Sequence, residues 1–330
     1  MKKWIVILSV LLTVQVGLAV ILDMNSNSYS AFQPKEKLLA FDSKQVDGVS
    51  ISTQKKSIEL KRQNGKWILP EDEGFPANQS AVTGLLDKLT VLQKGWPVAT
   101  TDEAAQHFKV ADDNFERKLT LSSGGKTVAT LYVGTSPGYR KVHVRPAGED
   151  SVYSVAFNAW EANAKPDDWI DQDILKLDPK TVQRIEMPGI VLEREGDKLK
   201  LDGLDDKQQT NEQEAKSLLG KLAGLRIESL LGKQDKPDYQ QDKPVLDVKL
   251  TQADGKTLEY HFSKPKVGDY YVLKRSDRAD YFKVADFEVS PIKDEARNKL
   301  VQVKPEVKPG TQNGEPATTS VPEKMLGTGG

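Results

Sequence analysis

The feature that most constrains this chain is an internal duplication. The stretch "VDGVSISTQKKSIELKRQNGKWIL" is followed by "NQSAVTGLLDKLTVL", "RKLTLSSGGKTVATLYVG", "GYRKVHVRP" and "DSVYSV". Farther on come "VQRIEMPGIVLEREGDKLKL", "NEQEAKSLLGKLAGL", "LDVKLTQADGKTLEYHFS", "GDYYVLKRS" and "ADYFKV", in the same order and about 130–136 residues later. Leu60 and Arg62 match Leu192 and Arg194, and Trp67 matches Leu199. Leu85, Leu86, Lys88 and Leu89 match Leu218, Leu219, Lys221 and Leu222, and Gly125–Lys126–Thr127 matches Gly255–Lys256–Thr257. Gly138 and Val142 read as equivalents of Gly268 and Val272. A period of this length is a whole domain, not a solenoid repeat.

Each copy has a readable architecture. Val49 and Ile51, Ile58 and Leu60, then Trp67 and Leu69 alternate with polar residues. That period of two predicts three short strands with one buried face, and Asn64–Gly65 is a hairpin turn signal. Asn78 is placed to cap a helix whose apolar stripe is Val82, Leu85, Leu86, Leu89 and Leu92; Asn211 does the same for Leu218, Leu219, Leu222 and Leu225. Further strands are predicted around Leu119–Leu121, Val128–Val133, Val142–Val144 and Val152–Val155. The expected fold class is α+β: an N-terminal transmembrane helix, then two tandem repeats of a mainly antiparallel sheet with one covering helix. The repeats are expected over 46–178 and 179–302.

The ends of the chain differ from this body. Lys2 and Lys3 precede an apolar run from Trp4 to Leu22. As a helix the run is roughly 28 Å long, close to the hydrocarbon thickness of a bilayer. A cleaved signal peptide has a shorter apolar core; Gly17–Leu18–Ala19 could be its cleavage site, but Val20, Ile21 and Leu22 extend the run beyond it. The expectation is an uncleaved anchor over 4–22, with 1–3 cytoplasmic and the rest exported, by the positive-inside rule. Gln15, polar within the run, is either tolerated there or a contact to another transmembrane helix. Residues 23–45 read as a linker. Residues 303–330 are rich in Pro and Gly, have no apolar periodicity, and are expected to be disordered.

Candidate chemistry is sparse. Gly124–Gly125–Lys126–Thr127 carries letters of a phosphate-binding loop, but Thr120 stands where the first glycine of that motif belongs. The following "VATLYVG" reads as strand, and the second copy has Asp254–Gly255 at the same place, a hairpin signal. The expectation is a turn. Asp167, Asp168, Asp171 and Asp173 lack the central glycine of an EF-hand loop; they read as a solvated linker that Trp169 and Ile170 pack against a domain. Cysteine is absent, and His107, His143 and His261 are the only histidines, so thiolate chemistry is excluded and no pair has metal-ligand helical spacing. No nucleophile motif appears. The reading is non-enzymatic, with no cofactor and no metal. Tyr139, Arg140 and His143, with Tyr270, Tyr271 and Lys274 in the second copy, either cap a core or edge, or form a repeated contact surface.

Lysine plus arginine total 47 against 48 for aspartate plus glutamate, which gives no electrostatic reason to expect nucleic acid as a partner. The combination of anchor, "IELKRQNGKWILPEDEGFPANQSAVTGLLDKLTVLQ", "LTLSSGGKTVATLYVG" and "VHVRPAGEDSVYSV" resembles a bacterial family of unknown function, the one numbered 4340. The resemblance covers roughly 46–300 and is weaker in the second copy. Members of that family commonly occur beside ABC-2-type exporter subunits, including relatives of gliding-motility transporters. The resemblance therefore implies a periplasmic, inner-membrane-anchored accessory or scaffold subunit of such a transporter, whose partner is an ABC-2-type permease or another envelope protein. The alternative is a binding module for lipid, glycan or peptide, using the cleft between the repeats.

Overall fold

A computed structural model describes residues 36–305, together with Leu12 and Gln15. Gln15 is helical and exposed; the rest of the expected anchor, most of the linker and nearly all of the tail lie outside the described residues. Among the described residues no helix is long and apolar enough to cross a membrane.

The first repeat is built on β1 (Gly48–Ser52), β2 (Ser57–Gln63), β3 (Lys66–Leu69), β4 (Phe75–Pro76), β5 (Arg117–Ser123), β6 (Lys126–Val133), β7 (Val142–Pro146) and β8 (Tyr153–Val155). They form one sheet in the order β4-β3-β2-β1-β5-β6-β7-β8. The second repeat uses β9 (Val182–Met187), β10 (Ile190–Glu195), β11 (Lys198–Leu201), β13 (Ser229–Gly232), β14 (Leu246–Gln252), β15 (Thr257–Ser263), β16 (Tyr270–Arg275) and β17 (Tyr281–Ala285). Their order is β11-β10-β9-β14-β15-β16-β17-β13. With β4 and β13 set aside, the two orders are the same permutation of seven strands. The pairings within both sheets are antiparallel. β12 (Gln208–Thr210) pairs with β18 (Val301–Val303), one residue beyond the expected end of the repeat.

The registers show which positions are equivalent. Val49 lies opposite Leu60 and Leu121; Ile185 lies opposite Leu192 and Leu250. Leu60 and Leu192 are thus the same position, as their letters suggest. Arg62 and Arg194 also play one part. Each donates to carbonyls of the segment entering the first strand, Lys44 in one copy and Pro179 and Val182 in the other. Val142 does not match Val272. Val142 pairs with Val155, whereas Val284, the equivalent of Val155, pairs with Tyr271. The cause lies upstream, where Val128 bulges between Thr127 and Ala129. That bulge changes the offset by one residue, and a one-residue slip moves every later side chain to the other face.

Helix α1 (Gln79–Val91) and helix α3 (Glu212–Ala223) cover the two sheets. Asn78 accepts from the Ala81 amide at 3.0 Å, and Asn211 accepts from Glu214 at 3.4 Å. The stripes Val82–Leu85–Leu86–Leu89 and Ala215–Leu218–Leu219–Leu222 are buried. An Asn78→Ala variant is expected to lose about 1 kcal/mol, read as a lowered urea midpoint with an unchanged slope. Each repeat carries one more helix than expected: α2 (Asp102–His107) in the first and α4 (Asp286–Lys293) in the second. Both are too short for a periodic stripe, and α4 contains Pro291.

The junction between repeats is packed. The Asn78 amide donates to the Trp169 carbonyl at 2.7 Å, and Asp171 donates to Pro76 at 2.9 Å. On the other side Leu177 donates to Ala223 at 2.9 Å and Ile227 to Gln172 at 3.1 Å. Trp169, Ile170 and Leu175 are buried in the same apolar core as both sheets. Phe75 of the first repeat meets Phe282 of the second at 6.2 Å between ring centroids.

Candidate functional site

The glycine–lysine–threonine stretch is a turn. Gly124 and Gly125 have φ of 57° and 76°, a left-handed pair that suits a two-residue hairpin, and they join β5 to β6. The Gly124 amide, which a phosphate would need, donates to the Asp47 carboxylate at 2.7 Å. In the second copy the turn is one residue longer, closed by the Gly255 amide on the Gln252 carbonyl at 2.9 Å.

The six aromatic and basic candidates do not make one surface. Tyr139 is exposed with the Arg140 guanidinium over its ring at 5.0 Å. His143 is 8% exposed and Tyr271 is 4% exposed, so neither is available to a partner. Lys274 sits over the Tyr281 ring at 4.5 Å, and Tyr270 lies beneath Lys283 at 4.9 Å.

His143 packs against Phe108, with ring centroids 4.1 Å apart and the planes tilted by 39°, and its Nδ1 lies 2.9 Å from the Thr135 hydroxyl. Burial disfavours the charged imidazolium and pushes its pKa down, and the neighbouring His107 adds to this. Below the ordinary histidine value near 6.5, the unfolded chain therefore takes up a proton that the folded chain refuses. Stability is expected to fall as pH drops from 7 toward 5. Urea midpoints at both pH values check this, and the drop should be smaller in a His143→Gln variant.

A groove of about 650 Å³ lies between α1 and the linker, a size suited to a small ligand. Its wall is held by a chain of polar contacts. The Trp169 indole donates to the Asn163 carbonyl at 2.7 Å, Asn163 Nδ2 donates to Asp168, and Asn158 Nδ2 donates to Glu161 Oε1 at 2.9 Å. Lys88 Nζ lies 2.7 Å from Glu161 Oε2, at an angle outside hydrogen-bond geometry, so this contact is an ion pair. The Trp160 indole stands exposed on the rim. Gln172 carries the groove into a second hollow of about 280 Å³, where Phe287 is also exposed. Trp160 stands in a short 3-10 turn, Ala159–Ala162, and Phe287 in the first turn of α4.

Such a lining can stack on an apolar face and exchange hydrogen bonds. Its lining holds no histidine, and Lys88 and Glu161 neutralise one another. Asp167, Asp168, Asp171 and Asp173 do not converge: Asp168 bonds Asn163, Asp171 caps the Asp173 amide, and Asp173 pairs with Lys176 and Arg226. Among the described residues no group of three His, Cys, Asp or Glu is placed to hold a metal. The groove was not legible beforehand because Lys88 and Glu161 are far apart in sequence and share no motif.

The family model described as Domain of unknown function (DUF4340) matches residues 67–244. The match runs from β3 through the linker and α3 to the start of the second repeat's central strands, so it straddles the junction. No curated protein matches, and no solved structure matches.

Proposed function

The chain belongs to the DUF4340 family, and on that premise we propose that it is a non-enzymatic scaffold subunit, anchored in the inner membrane through residues 4–22 and projecting two rigid repeats into the periplasm. It docks on an envelope transport complex, with an ABC-2-type permease as the partner. The observation that carries this reading is the filled junction. With Trp169, Ile170 and Leu175 buried in the core that both sheets share, the junction is packed through its middle, which favours a docking platform over a ligand trap that closes between the repeats.

The test is purification of the tagged full chain from membranes under mild detergent. The scaffold reading expects a permease or another envelope protein to co-purify in fixed ratio, and deletion of the chain to impair transport. Purification of the chain alone, with transport intact after deletion, contradicts it. A second reading is favoured by the Trp160 groove: a binding module for a neutral polar ligand such as a glycan, seated on α1 and the linker instead of between the repeats. Quenching of Trp160 emission by added oligosaccharide, lost in Trp160→Ala, would support it.

A further inference from the structure

We infer that the Trp96–Pro97–Val98 loop, together with Val91, rests in the lipid–water interface of the bilayer that holds the anchor. This rests on the reading of residues 4–22 as a membrane anchor. Residues Glu36, Lys37 and Leu38 lie directly beside this loop. Lys37 bridges Gln93, the Leu38 amide donates to the Leu92 carbonyl at 2.8 Å, and the Lys94 amide donates to the Glu36 carbonyl at 2.9 Å. The chain arriving from the apolar run is therefore stitched to the ribbon that carries Trp96. Residues 23–35 can span at most about 45 Å when fully extended, and on average far less, so this ribbon is the part of the body tethered closest to the membrane.

Its surface suits that position. Val91 is 72% exposed, Trp96 64% and Val98 47%, while Leu92 between them is buried and holds the ribbon to the core. Indole rings favour the headgroup boundary, where the apolar ring is desolvated and the N–H stays wet. The loop has no unpaired basic cluster, because Lys94 is paired with Glu36 at 3.1 Å and Glu149 at 2.9 Å. The contact is thus with the zwitterionic interface itself, through apolar insertion, and does not require anionic lipid.

The experiment places the full-length Trp4→Phe chain in phosphatidylcholine nanodiscs, with or without lipid brominated near the headgroup. The substitution removes the anchor's indole, Trp67 and Trp169 are buried, and Trp160 serves as an exposed indole distant in sequence. We expect brominated lipid to quench part of the emission, and Trp4→Phe/Trp96→Phe to lose more than half of that quenching. Equal emission in both lipids, or quenching that survives loss of Trp96, overturns the inference while leaving the anchor intact. A chain that fails to enter the discs at all overturns the anchor, and this inference with it.

Discussion

A Gly134→Ala variant is expected to lose about 3 kcal/mol of stability, and to melt roughly 6–12 °C lower than the parent. Gly134 directly follows β6 and closes the "TLYVG" stretch. A Cβ there would stand 2.0 Å from the Phe108 carbonyl oxygen and 2.5 Å from that of Lys109. Both neighbours are backbone, fixed by the Thr135 amide on Phe108 at 2.9 Å and the Glu116 amide on Lys109 at 3.3 Å. No rotamer can relieve the clash, so the end of β6 must move away from α2 and break those bonds. The second copy shows what happens where that helix is missing. Ser263 occupies the equivalent position, fully buried, and its hydroxyl donates to the Tyr239 carbonyl instead. Gly84→Ala is the internal control. Gly84 lies inside α1, where an added Cβ would meet nothing within 4 Å, and the change is expected to stabilise by roughly 0.5–1 kcal/mol. Thermal melts of the two variants should move in opposite directions.

The second large effect is expected at Arg275, the clasp between linker and second repeat. Its guanidinium is nearly inaccessible. It donates to both oxygens of Asp277 at 2.6 and 3.1 Å, to the Leu175 carbonyl of the linker at 2.8 Å and to the Tyr260 hydroxyl at 3.3 Å. Arg275→Met keeps the apolar stem but strands a carboxylate and a buried carbonyl, at an expected cost of about 3–5 kcal/mol. The pH dependence gives a signature beyond simple loss of packing. Burial alone would raise the Asp277 pKa, but the Arg275 guanidinium, with the nearby charges of Arg278 and Lys256, more than offsets this and holds the carboxyl below its ordinary value. A depressed carboxylate stabilises the fold above the unfolded pKa, and that contribution is lost as pH falls through the folded one. The gap between parent and variant should therefore be widest near neutral pH and narrow below about pH 4. A gap independent of pH would assign the loss to packing alone.

Much of this fold was legible because two copies test one another. Asn78 and Asn211, each three residues before a bonded amide, marked both covering helices. Leu60 and Leu192 marked the same ladder position. Trp67 and Leu199 differ in letter yet both fill the core, since what the position demands is apolar volume on the buried face. What escaped notice was what copies do not share or letters cannot carry. The Val128 bulge is a matter of pairing, not composition, and it shifted the apparent match of Val142. Helix α2 was too short for a periodic signal. The groove depends on a polar network assembled from α1 and the linker, two segments far apart in sequence that share no motif. For Tyr139, Arg140, His143, Tyr270, Tyr271 and Lys274 the letters left a core cap and a contact surface both open, and burial of His143 and Tyr271 gives those two the first role.

The central claim is that two copies of one unit are joined into a single rigid body through a buried linker. The chain has no cysteine, so paired spin labels can be placed without background at the matching hairpin tips, through Lys126→Cys and Ala253→Cys. Both positions are exposed. The account predicts one narrow distance distribution between the labels, unchanged between detergent and nanodiscs. A broad or two-peaked distribution would mean that the repeats move independently, and would contradict it.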